Sequence, residues 1–183
     1  MNYITFTNSG SMHMCKNFLL SARKVGIEEE ITVYTLDKTS HDELSNNFNC
    51  KLKTIEPDVD EGYYHYGSQE FKSLMVTKLE VILEELNNTE DDFIYTDCDV
   101  VFLHNPQQIF ENADKVVKDD YDVNVFFASD SLKYSDSGNQ ICAGFMNVKN
   151  IKGTKEFFER VYDTLKLIVK DGNPESHDQA IIR

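Results

Sequence analysis

An α/β fold, with a parallel sheet flanked by helices, is predicted by three features of the sequence. The chain opens with strand, helix and strand patterns in turn, the order that gives parallel pairing through a crossover helix. Further apolar runs of strand length, at residues 93–96, 123–128 and 141–148, alternate with long amphipathic helical patterns. The 183 residues suffice for one core of useful size, and no repeat, low-complexity stretch or linker marks a second domain.

Residues 3–7 set Ile4 and Phe6 against polar neighbours, as a strand does. Asn8-Ser9-Gly10-Ser11 then turns into a helix whose apolar face is Met14, Cys15, Phe18, Ala22 and Val25, with Ser11 suited to its N-cap and Gly26 to its end. Exposed backbone N–H groups in such a loop suit part of a nucleotide, although an ordinary turn has the same sequence character. Residues 31–36 and 51–55 read as the second and third strands, with a polar helical segment between them. Residues 56–68 are acidic and then aromatic without either period, which makes them a long surface loop. Tyr63, Tyr64, His65 and Tyr66 in that loop either stack on a ring or pack the loop onto the body.

Residues 71–86 form the clearest helix, with Phe71, Leu74, Met75, Leu79, Ile82, Leu83 and Leu86 in one stripe. Lys78 projects inside that stripe, where an ammonium is costly unless it snorkels or meets an anion; the expected partner is a ligand phosphate or an aspartate. If the partner is a phosphate, Met at this position should keep or raise the stability of the empty protein. Lys72, in the first turn, is expected to reach water. Pro106 suits a helix start at residues 107–111, residues 129–140 read as a loop, and the strand at 141–148 carries small residues where something approaches its backbone. Phe157, Phe158, Val161, Leu165, Ile168 and Val169 describe a core-packing helix. Gly172-Asn173-Pro174 ends it, and a last short helix starts over residues 175–179.

Composition narrows the function. With 32 acids against 18 bases the net charge is −14, which argues against a nucleic-acid or anionic-membrane surface. No apolar run approaches the roughly 20 residues of a membrane span and no signal peptide opens the chain, so a soluble, cytoplasmic protein is expected. Cys15, Cys50, Cys98 and Cys142 are scattered without a CxxC pair, as reduced and mostly buried thiols are.

The chemistry concentrates in residues 93–106, FIYTDCDVVFLHNP. An apolar run is interrupted by Asp97-Cys98-Asp99 and resumes at Val100–Leu103. If the backbone stays extended, Asp97 and Asp99 share a face and Cys98 points inward. Two charges about 6 Å apart repel by roughly 3 kcal/mol at an effective dielectric of about 20, a cost that a cation offsets. Paired carboxylates are hard oxygen donors suited to magnesium, manganese or calcium. Two solvated acids at a strand end are the plain alternative, and their position inside an apolar run favours metal binding or catalysis.

Taken together, the segment TFTNSG, the helix carrying Lys78, the apolar-DxD-apolar-NP block, the strand ICAGFMNV and the terminal HDQ resemble the GT-A class of nucleotide-sugar-dependent glycosyltransferases, nearest to retaining galactosyl- and xylosyltransferase families. The resemblance implies a single Rossmann-like GT-A domain over residues 1–183 with a mixed, mostly parallel sheet flanked by helices, a nucleotide-sugar donor, a uridine diphosphate sugar by preference, and a sugar or glycan acceptor. It implies Mn2+ or Mg2+ held by Asp97 and Asp99, with Asp99 the firmer ligand and Asp97 touching ribose or metal. Thr7, Asn8 and Ser9 would hold the nucleoside, Lys78 the donor, and Cys142, Ala143 and Gly144 would lie along the donor sugar. Asp178 and Gln179 match the pair near the sugar hydroxyls and the anomeric carbon. Relatives commonly supply a further metal ligand from beyond that pair; the resemblance implies either that this chain is C-terminally shortened or that His177, His104 or water completes the site. The strand DCDVV also fits a haloacid-dehalogenase-type phosphatase, with Asp97 as nucleophile and Asp99 as acid/base. That motif ordinarily ends an early strand and needs a later acidic pair, and neither holds here. A non-catalytic nucleotide- or metal-binding module is the third alternative.

Overall fold

The computed structural model describes residues 2–55, 62–65, 68–116, 122, 124–129, 141–171 and 178–182. Six strands, β1 (Asn2–Thr7), β2 (Ile31–Thr35), β3 (Lys51–Thr54), β4 (Phe93–Thr96), β5 (Val125–Ser129) and β6 (Ile141–Val148), form one sheet in the order β3-β2-β1-β4-β6-β5. The pairs β2–β3, β1–β2 and β1–β4 are parallel, and β6 runs antiparallel to both β4 and β5. The sheet is therefore mixed and mostly parallel, as the resemblance implies. Among the described residues six α-helices join or cover the strands: α1 (Met12–Val25), α2 (Lys38–Asn47), α3 (Gln69–Asn88), α4 (Gln107–Val116), α5 (Lys152–Lys170) and α6 (Asp178–Ile182).

Alternation along each strand sorts side chains into two cores. Ile4, Phe6, Tyr34, Phe93, Tyr95, Met146 and Val148 face one side, where they meet Leu79 and Ile82 of α3 and Phe158 and Leu165 of α5. Tyr3, Ile31, Val33 and Ile94 face the other side, against Phe18 and Leu19 of α1 and Leu44 of α2. Helix α1 thus follows β1 on one face while α3 precedes β4 on the opposite face. The strand order reverses between β1 and β4, which makes their C-terminal ends the crevice where open α/β sheets bind ligands.

Several local expectations are corrected. Strand β4 ends at Thr96, and Cys98 and Asp99 form a turn, so the two aspartates do not alternate along an extended strand. Ladder pairing lasts only through the Asp97 N–H, which donates to Gly144 O at 2.8 Å. The chain then turns to cover α1. Phe102 is buried among the rings of Tyr3, Phe18 and Phe145, and its N–H donates to the Ser21 hydroxyl at 2.9 Å. Its neighbours Val101 and Leu103 are exposed, so residues 100–103 do not continue a buried strand. Lys72 is buried rather than in water, because it stands three and seven positions before Met75 and Leu79 on the same helical face. Ser11 precedes α1 but makes no side-chain cap, since its hydroxyl serves the preceding loop; Gly26 ends α1 in the left-handed conformation at φ 79°. All four cysteines are free, but only Cys15 is fully buried. Most of the 56–68 and 129–140 loops, Tyr66 and the start of the last helix over 175–177 lie outside the described residues.

Candidate functional site

A cavity of about 410 Å³ opens at the ends of β1 and β4. Phe6, Met14, Phe71, Leu74 and Met75 give it an apolar floor, Gly62, Tyr63 and Tyr64 one wall, and Asn8, Ser11, Asp97, Cys98 and Asp99 its polar side. Asp97 and Asp99 are thus brought to one cavity, as expected, but by a turn that also brings Cys98 there.

Asp97 is held from three sides. The Tyr95 hydroxyl donates to its Oδ1 at 2.6 Å, and the Lys78 Nζ lies 3.4 Å from the same oxygen. Its Oδ2 lies against Gly144, where an added Cβ would come within 2.6 Å of it. Burial first, and then the charge of Asp97, push the Tyr95 phenol well above its usual 10.0, so it stays a donor. Gly144→Ala is expected to displace the Asp97 carboxylate, break its contacts with Tyr95 and Lys78, and cost about 1–3 kcal/mol as overpacking does. A chemical-denaturation midpoint unchanged from wild type would show that Asp97 has room to spare.

Lys78 lies behind this carboxylate. It is 2% exposed, its Nζ is 2.9 Å from Asp178 Oδ2, and it stands 5.0 Å over the Tyr95 ring. The stripe geometry of α3 therefore pointed to the right kind of partner, and the anions are two aspartates. Burial opposes the charge, but Asp97 and Asp178 outweigh it and raise the Lys78 pKa to about 12. Asp178 opens α6 and is itself buried, so one lysine ties Asp97, at the end of β4, to a helix that starts 81 residues further on in the chain. Gln179 occupies the next helical position.

The β1–α1 loop departs from expectation. The amides of Asn8, Ser9 and Ser11 are satisfied inside the protein: Asn8 N–H donates to Ser11 Oγ, Ser11 N–H to Asn8 Oδ1, and Ser9 N–H to Asp37 Oδ2 at 2.6 Å. They are not open for a nucleotide. Thr7 is buried with its hydroxyl 2.9 Å from Ser11 Oγ, and neither Thr7 nor Ser9 lines the cavity. Asp37, which the sequence reading missed, also caps α2 through Ser40 N–H. Although burial pushes its carboxyl up, these N–H donors hold it below its ordinary 3.8. An acid directly after the apolar strand ITVYTL was the available clue. Tyr95 was missed as well, and its place two residues before Asp97 was the clue there.

As a cation site, the described residues offer two carboxylates. Burial and then the charge of Asp97 raise the pKa of Asp99, and Lys78 offsets only part of that rise. Two carboxylates with room for water or phosphate oxygens fit magnesium or manganese. Among the described residues no cluster of three or more His, Cys, Asp or Glu side chains supplies a closed site. His104 is exposed in a separate cavity with Asn105, Gln107 and Glu111, and does not join Asp97 and Asp99; His177 lies outside the described residues.

This fold belongs to a known class. The chain is a member of the nucleotide-diphospho-sugar transferase family, whose model matches residues 26–183. The galactosyltransferase LgtC, solved with donor and acceptor sugar analogues, has the same GT-A fold, with a TM-score of 0.67 and 13% identity over 100% of this chain and 69% of that one. An active-site variant of LgtC, glutamine to glutamate, gives 0.66 and 12% over the same shares. The glycosyltransferase GlyE of Streptococcus pneumoniae TIGR4 gives 0.61 and 14% over 99% of this chain but 42% of its own length. No curated protein sequence is significantly similar to the chain. No helix among the described residues is long and apolar enough to cross a membrane.

Proposed function

We propose that this glycosyltransferase moves a sugar from a uridine diphosphate donor to a sugar or glycan acceptor, with retention at the anomeric carbon and with Mn2+ or Mg2+ held by Asp97 and Asp99. The observation that carries this reading is the convergence of both aspartates on one cavity at the strand-order reversal, with the buried Lys78 joining Asp97 to Asp178 behind it. When bound, the cation supplies charge stabilisation to the departing diphosphate. The chain's own residues do the rest. Tyr95 and Lys78 hold one oxygen of Asp97 and the missing Cβ of Gly144 leaves room for the other; in this reading the segment Cys142, Ala143 and Gly144 runs along the donor sugar. Asp178, fixed by Lys78, orients sugar hydroxyls, and Gln179 offers a dipole at the anomeric carbon, in keeping with the active-site glutamine of LgtC. Asn8 and Ser11 line the nucleoside end of the cavity, with Thr7 and Ser9 behind them in the same loop. The phosphatase alternative is not favoured, because the family model that matches residues 26–183 is that of a nucleotide-diphospho-sugar transferase.

The test is turnover. Hydrolysis of a uridine diphosphate sugar that requires manganese supports the reading, and hydrolysis of a phosphomonoester with magnesium overturns it. Gln179→Ala is expected to leave donor KM near wild type and lower kcat by about 10- to 1000-fold, as loss of a transition-state dipole does. An equal loss in donor affinity would make Gln179 a ground-state contact instead.

A further inference from the structure

We infer that a glycine seam between the two loops of the cavity sets its aromatic wall, and that Asn8 is a positioning residue acting on a nucleotide through Tyr63 and Tyr64 rather than by contact. Three features of the described residues carry this. A Cβ on Gly10 would lie 2.2 Å from Gly62 C, 2.3 Å from Gly62 O and 2.3 Å from Tyr63 N. All three are backbone atoms, so no rotamer change relieves the clash. Asn8 Nδ2 donates to Gly62 O at 2.7 Å, joining loops 54 residues apart. Gly62 has φ 147°, a conformation closed to residues with a Cβ.

The hydrogen bonds of Asn8 fix its role. Its Oδ1 accepts from both Ser11 N–H and Ser11 Oγ at 3.0 Å, which settles which end of the amide is oxygen and directs that oxygen into its own loop. Its nitrogen is turned to Gly62. The side chain is buried, and both ends of the amide are spent on shaping the cavity. What it shapes is the wall of Gly62, Tyr63 and Tyr64, in the same cavity as Asp97 and Asp99. Tyr63 stands edge-on to His65 at 5.7 Å and remains 59% exposed, so a ring face is available to stack on a planar base. The seam is a statement about this loop pair; its consequence for a nucleotide rests on the functional reading above.

The chain has no tryptophan, so Tyr63→Trp provides a single emission reporter on that wall. In this background Gly10→Ala breaks the seam by volume. Asn8→Asp keeps the oxygen that accepts from Ser11 and replaces the donor to Gly62 with an acceptor. Both variants are expected to raise acrylamide quenching of the empty protein about twofold or more, and to weaken uridine and uridine diphosphate binding alike, by roughly tenfold. Equal loss for the uncharged nucleoside separates a displaced wall from charge repulsion of phosphate by the new aspartate. Unchanged quenching in both variants overturns the seam, and weakened binding with unchanged quenching makes Asn8 a direct contact. If Gly10→Ala fails to fold, Asn8→Asp decides alone. If the reporter protein itself binds neither uridine diphosphate nor guanosine diphosphate, the functional reading fails while the quenching comparison still decides the seam.

Discussion

Replacing Lys78 with Met is expected to destabilise the empty protein by about 3–5 kcal/mol, the cost of removing one partner from a buried ion pair. Lys78 is 2% exposed and Asp178 4% exposed, with 2.9 Å between their charged atoms. Methionine matches the length of the lysine stem but leaves the Asp178 carboxylate without its cation in a low-dielectric core. The sequence-level expectation was the reverse, because an anion supplied by a ligand would be absent from the empty protein. Here the anions belong to the chain, so the cation is needed whether or not a donor is bound. Urea denaturation of the single variant and of Lys78→Met/Asp178→Asn separates the terms. The double variant should recover most of the loss, since it removes both charges, and a single variant as stable as wild type would show that the pair contributes nothing.

The sign of the pH dependence follows from the same pair. The folded pKa of Lys78, about 12, lies above its ordinary 10.5. The charged lysine therefore contributes fully below about pH 10.5, and its contribution is lost as pH rises through about 12. Alkaline unfolding of the wild type should be steeper in that window than that of the double variant.

What the sequence made legible was local and periodic. The α3 stripe located Lys78 because a helix fixes direction at 100° per residue, and the small residues of β6 announced the close approach that Gly144 makes to Asp97. The parallel opening and the position of the acids at a strand end were equally readable. The turn at Cys98 was not, because nothing in DCDVV says where its partner strand stops pairing; that is decided by β6, more than 40 residues later, and by the buried socket that receives Phe102. Lys72 was misjudged for a related reason. Its place in the first turn suggested water, while its register with Met75 and Leu79 put it against the core. The loop amides were misassigned because their acceptors, Asp37 and the side chains of Asn8 and Ser11, are a matter of tertiary placement and of which loop conformation wins.

Asp99→Asn should cost the enzyme far more in function than in fold. Asp99 lines the cavity, and its raised pKa, from partial desolvation there first and then from Asp97, means that ionisation works against the folded state. A group whose folded carboxyl is pushed up is most favourable at low pH and loses stability as pH rises through its unfolded and then its folded value. The neutral, nearly isosteric amide removes that penalty, so the thermal midpoint of the empty protein at pH 7 should stay the same or rise slightly. Manganese binding should weaken by at least about tenfold, or roughly 1.4 kcal/mol, because an amide oxygen replaces one of two anionic donors. Turnover of a uridine diphosphate sugar should fall by about 10²–10³, the usual loss when a main source of charge stabilisation is disturbed. Calorimetry of manganese binding, followed by the same titration with uridine diphosphate present, reads the first effect apart from the second. Unchanged manganese affinity would remove Asp99 from the metal site and leave Asp97, already engaged by Tyr95 and Lys78, as the only carboxylate of the pair to hold a cation.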